Sequence, residues 1–208
     1  MKTQELIRNL SLELKPVPRL QAMRSFSVWA FLAPILSACM VILIRLQLPG
    51  IYHSGVIFSL ETLAVFAAAS FCAAASLYVR IPGNKPIYLI STGAALLMLY
   101  VISLCIRMFL NPITLTSPTL ADIACARDVG LGGLMSAGIM LGMIKRAAPV
   151  YPRATALLAG LSAGLLAVAL QQFFCPSQAP VHVLLYHLMP TFALAGSGVL
   201  MGRLLLHW

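Results

Sequence analysis

Five cysteines and four histidines carry most of the reactive chemistry available to this 208-residue chain, alongside five acidic residues. No two cysteines form a CxxC pair, so zinc-ribbon and thioredoxin-type motifs are absent. Two of the cysteines have chemically active neighbours. Asp122, Arg127 and Asp128 flank Cys125, while His182 and His187 follow Cys175. An arginine beside a thiol favours the reactive thiolate, and thiolates combined with imidazole suit zinc or copper(I). Cys125 and Cys175 are therefore open to three readings: a structural disulfide, a redox switch, or a site for a soft metal ion such as zinc, copper or cadmium. His187 also has a plainer reading, as a hydrogen-bonding residue inside the fold. Glu61 lies in an apolar run, where an ionisable side chain is a functional candidate by default, although pairing with Arg45 or Arg107 would also account for it.

These residues must be positioned by apolar elements, because little else is present. Apolar residues make up 61% of the chain and charged residues 9%, and the mean hydropathy is +0.95. A soluble domain carries roughly 25% charged residues to coat its surface. The composition thus excludes a cytosolic enzyme, a disordered regulator and a secreted disulfide scaffold, and points to an integral membrane protein. A bilayer core of about 30 Å needs about 20 apolar residues at 1.5 Å each. Six stretches meet that length, at Phe26–Ile44, Val56–Val79, Ile87–Cys105, Val129–Ile144, Thr155–Phe174 and Val183–Leu206. The fourth is short, and its helix is expected to continue backwards through Asp122–Asp128, outside the hydrocarbon. The expected fold is all-α, a polytopic bundle of six transmembrane helices.

Six spans put both termini on one side. Lys2, Arg8, Lys15, Arg19, Arg24, Arg80, Lys85, Lys145, Arg146, Arg153 and Arg203 collect on that side, against Arg45, Arg107 and Arg127 on the other. The positive-inside bias makes the termini cytoplasmic, and the first span reads as a retained anchor. Cys39, Cys72 and Cys105 then fall within spans, where thiols act as small buried apolar groups. Cys125 and Cys175 reach the outer interface, at the ends of two antiparallel neighbours. Facing helix ends can bring their Cα atoms within the ~4.4–6.8 Å that a disulfide needs. Gly138/Gly142, Gly160/Gly164 and Gly198/Gly202 are Gly-xxx-Gly pairs, expected to pack helices closely within one C-terminal bundle, and the alanines of 67–75 do similar work.

Residues 1–25 form a polar segment ahead of the transmembrane domain, 26–208. Leu6, Ile7, Leu10 and Leu14 share one helical face, and Pro16 and Pro18 end the helix. About three turns are too few for a stable isolated helix, so the face needs a cover: the membrane surface or, favoured by the glutamates and the absence of aromatics, a groove on a soluble partner.

The segment Leu6-Ile7-Arg8-Asn9-Leu10, Leu14-Lys15-Pro16-Val17, the outer Cys125, Pro152-Arg153 before a Gly/Ala-rich fifth span, Cys175-Pro176 and Tyr186-His187 together resemble the NrsF-like family of six-pass membrane anti-sigma factors. The resemblance implies a bacterial inner-membrane protein that is not an enzyme. Its N-terminal segment would sequester an extracytoplasmic-function (ECF) sigma factor, with no direct nucleic-acid contact. The family's two outer cysteines, implicated in sensing oxidants or heavy metals, map to Cys125 and Cys175. Many relatives carry His before the second cysteine, where this chain has Phe174, which leaves His187 or His182 to supply an imidazole. A small multi-pass permease and a membrane thiol-redox protein are the alternatives. A permease would call for a polar path or inverted repeat that is not apparent, and quinone-linked thiol oxidases normally use a CxxC pair.

Overall fold

The computed structural model describes residue 5 and residues 21–45, 56–79, 86–110, 119–146 and 149–206. The sequence-predicted partner-binding face of Leu6, Ile7, Leu10 and Leu14 lies outside the described residues. Among those described there are no strands. Six helices are long and apolar enough to cross a bilayer: α1 Ala22–Arg45, α2 Val56–Val79, α3 Ile87–Leu110, α4 Leu120–Lys145, α5 Pro152–Phe174 and α6 Pro180–Leu205. At 1.5 Å per residue, 24 residues of α1, α2 or α3 reach roughly 36 Å, enough to span about 30 Å of hydrocarbon with some tilt. The fourth helix does continue back through Asp122–Asp128 and begins at Leu120.

Polarity is distributed as lipid demands. Phe31, Leu43, Ile57, Leu63, Phe109 and Leu200 face outward, while Ser37, Thr62, Ser136, Ser162, Gln171, Gln172 and Thr191 are buried. This is a membrane protein, because water would penalise those outward side chains and a bilayer does not. Helix α5 is the hub. It packs extensively against α6, α2 and α4, and 78% of its most apolar window is buried, against 17% for α3. Buried polar groups tie α1 to α4: the Trp29 indole N–H donates to Ser136 Oγ at 3.1 Å, and Ser37 Oγ donates to the Gly132 carbonyl at 3.1 Å. Such bonds satisfy groups that have no water to turn to.

Helices α5 and α6 meet through glycine along most of their length. A Cβ on Gly164 would lie 2.7 Å from Thr191 Cγ2, one on Gly198 2.6 Å from the Ala156 carbonyl oxygen, and one on Gly202 2.9 Å from the Pro152 carbonyl oxygen. Two Gly-xxx-Gly pairs thus hold backbones together as expected. The third does not. Gly138 and Gly142 have open space where a side chain would go, because α4 turns its Ser136, Ala137, Met140 and Ile144 face inward instead. The buried-thiol expectation also needs correction for two residues: Cys72 is buried against Gly93, but Cys39 and Cys105 face outward.

Candidate metal and redox centre

Cys125 stands in the second turn of α4, whose start is fixed by a capping box. Thr119 Oγ1 accepts from the Asp122 N–H at 3.3 Å, and Asp122 Oδ2 accepts from the Thr119 N–H at 2.8 Å. Cys175 stands immediately after α5. Pro176 disfavours helical backbone at the residue before it, and Cys175 is extended, at φ −85°, ψ 127°, with its N–H donating to the Gln171 carbonyl at 2.8 Å. Pro180 at the first turn then opens α6, where its missing N–H costs nothing.

This geometry brings Cys125 Sγ and Cys175 Sγ to 3.3 Å, both sulfurs fully buried. His182 Nε2 lies 3.1 Å from Cys175 Sγ. Its Nδ1 lies 2.7 Å from Asp122 Oδ1, and a carboxylate there accepts the Nδ1 proton and leaves Nε2 turned to the sulfurs. His187 completes the group. The ligand atoms of Cys125, Cys175, His182 and His187 all lie within 4.8 Å of one another, and the two imidazoles meet edge to face at 5.2 Å. The His187 side chain is completely buried, and its ring nitrogens have no nitrogen or oxygen hydrogen-bond partner among the described residues, only the Cys125 sulfur as a weak one. The plainer reading of His187, as a hydrogen-bonding bundle residue, thus rests on that sulfur alone.

Two soft sulfurs and two imidazoles form the donor set that tetrahedral zinc-class ions prefer. Bonds of about 2.0–2.3 Å to one central ion would span the group, and such an ion would also give His187 a stronger partner than a sulfur. The residues fit a metal. They equally fit a dithiol switch, since the two sulfurs are already in contact at 3.3 Å.

Several roles around the centre escaped sequence reasoning. Asp122 fixes a histidine 60 positions away; its only local signal is the Thr119-Leu120-Ala121-Asp122 capping pattern. Gln171 packs beside the Cys125 sulfur. The loop after Cys175 is held from the other side of the bundle. Arg107 donates to the Gln178 carbonyl at 2.6 Å and to Glu61 at 2.8 Å, and Ser103 Oγ donates to Glu61 at 2.9 Å. Gln178 donates in turn to the Gln172 carbonyl at 3.0 Å, and the Gln172 amide donates to the Tyr100 hydroxyl at 2.6 Å. Of the two partners expected for Glu61, Arg107 is found beside it; the Arg45 side chain lies outside what the structure describes. Arg127, expected beside a thiol, instead clasps the buried Asp128 at 2.9 Å.

Searches of curated proteins and of solved structures found no match. A family model described as negative regulator of sigma F matches residues 10–208. Matched over nearly its whole length, this membrane-spanning chain belongs to the NrsF family of negative regulators of a sigma factor.

Proposed function

We propose that the protein is a non-enzymatic anti-sigma factor of the bacterial inner membrane, with both termini cytoplasmic. It holds an ECF sigma factor through the Leu6/Ile7/Leu10/Leu14 face and releases it when the Cys125/Cys175 centre meets an oxidant or a soft metal ion. The observation that carries this reading is the convergence of Cys125, Cys175, His182 and His187 on one point, at the end of the bundle away from the lysine- and arginine-rich loops. The lysine and arginine bias supports the orientation and puts the centre on the periplasmic side, where thiol chemistry is permitted.

Two inputs act on the same sulfurs. A peroxide takes two electrons and two protons from the two thiols; the S–S bond forms, the O–O bond breaks and the peroxide leaves as two waters, or as an alcohol and a water. A soft cation displaces the thiol protons and is held by sulfur and imidazole, as a sensed ligand. Either event changes how the ends of α4, α5 and α6 pack. Release of the partner follows only if the two packings differ in affinity for it.

Membranes carrying the wild-type chain should co-purify a sigma factor, and those carrying Leu10→Asp should not. Equal recovery from both would remove the N-terminal face from the mechanism. Cys125→Ser and Cys175→Ser should each retain the partner after peroxide or cadmium; an unchanged release would acquit the thiols. Consumption of one peroxide, two oxidising equivalents, per chain without turnover of added dithiol separates this role from a thiol oxidoreductase.

A further inference from the structure

We propose that the π-helical stretch Val183–Leu188 in α6 is the two-state element of the sensor, held in its π form by an occupied centre and relaxing towards α when the centre is empty. The proposal rests on the metal reading of the site given above and adds the moving part.

The stretch is what makes a four-donor centre. In an α-helix, positions five apart point about 140° away from each other, so His182 and His187 could not face one ion. A π-helix closes i→i+5 hydrogen bonds and stacks such positions on one face. Here the Met189 N–H donates to the Leu184 carbonyl, five residues back, and the two histidine rings meet at 5.2 Å. The local sequence favours the wider turn. Pro190 has no N–H to give, and its ring would press on the Tyr186 carbonyl in a regular α-helix.

The same stretch has a standing reason to leave the π form. It keeps both nitrogens of His187 buried with only the Cys125 sulfur as a weak partner among the described residues. A cation removes that penalty and an empty centre does not. The two forms therefore differ in affinity for the ligand, which is the condition a switch must meet. Relaxation removes the extra residue of the wide turn and must rotate one side against the other. Upstream, Gln178 is held by Arg107. Downstream, α6 meets α5 through Gly198 and Gly202 as far as Pro152. A turn of α6 would bring larger side chains such as Leu200 towards that glycine contact and part the two helices at the end remote from the centre.

The test is a distance measurement on the full chain in lipid nanodiscs. Spin labels are attached through a ketone-bearing amino acid at the exposed positions Leu157 and Leu204, leaving every cysteine intact. Cadmium binding is followed independently by thiolate-to-metal charge-transfer absorbance. With cadmium bound, the wild-type 157–204 distance should shift by on the order of 5 Å, as expected when a side chain on a helix 10–12 Å wide turns with it. Deletion of Leu185, which removes the extra residue of the π turn, should abolish the shift and weaken cadmium binding at least tenfold. Should that variant fail to insert, Pro190→Ala serves instead: it should give the cadmium-free distance more readily and bind cadmium several-fold more weakly. Cadmium absorbance with an unchanged wild-type distance overturns this inference and leaves the site reading standing. No cadmium absorbance in the wild type overturns the metal reading and this inference with it.

Discussion

In the proposed sensor, His187 is the residue at which stability and sensing oppose each other. A buried polar group without an adequate partner costs about 1–3 kcal/mol, and a sulfur is a weak one, so His187→Leu should raise the melting temperature of the chelator-treated protein in detergent. It should at the same time weaken cadmium binding, read by the same charge-transfer absorbance. A lower melting temperature would mean that the Cys125 sulfur is partner enough for the imidazole. Asp122 acts one step removed, by holding His182 through Nδ1. Carboxylates in that position typically contribute 10–100-fold in metal affinity, so Asp122→Asn should weaken cadmium binding by that order while leaving the dithiol oxidisable by peroxide. The sequence made all four donors visible as candidates and did not make visible that both histidines join the two cysteines. Cys125, Cys175, His182 and His187 were legible as neighbours of charge and imidazole. Their joint use depends on a π turn and a capping aspartate, neither of which leaves a periodic trace.

At the scale of elements, the six helices were legible because a bilayer accepts little else: every backbone group must bond within its own segment, and apolar length marks where. The roles of small residues were less so. Gly-xxx-Gly spacing identifies a face that permits close approach, but which neighbour uses it depends on the rotation of each helix. The two kinds of glycine should respond differently to the same change. Gly198→Val places a Cβ 2.6 Å from a carbonyl oxygen and should cost at least the 1–3 kcal/mol typical of overpacking. Gly138→Ala meets nothing and should fall within about 0.5 kcal/mol of wild type, both read by thermal denaturation in detergent. The Arg107 clasp makes a second prediction at this scale. Arg107→Ala removes the bond to the Gln178 carbonyl and frees the loop that seals Cys175, so alkylation of Cys175 by a small maleimide should accelerate several-fold. An unchanged alkylation rate would show that the loop is held without the clasp.

Across the whole molecule, the proposed function asks one buried centre to answer two chemically distinct inputs and report at the opposite face. The inputs make different demands on it. Oxidation needs only the two sulfurs, 3.3 Å apart; a cation is held well only when both imidazoles join them. The inputs are therefore separable by a change that spares the sulfurs. Membranes carrying His187→Leu should still release the sigma factor after peroxide, because two electrons and two protons leave the thiols with no help from that ring. The same membranes should retain it after a cadmium dose that empties wild-type membranes. Partner remaining on washed membranes, quantified by immunoblot across both titrations, makes the comparison within one preparation. Loss of both responses would make His187 part of the scaffold that brings the sulfurs together, and survival of both would mean that cadmium is captured by the cysteines without it.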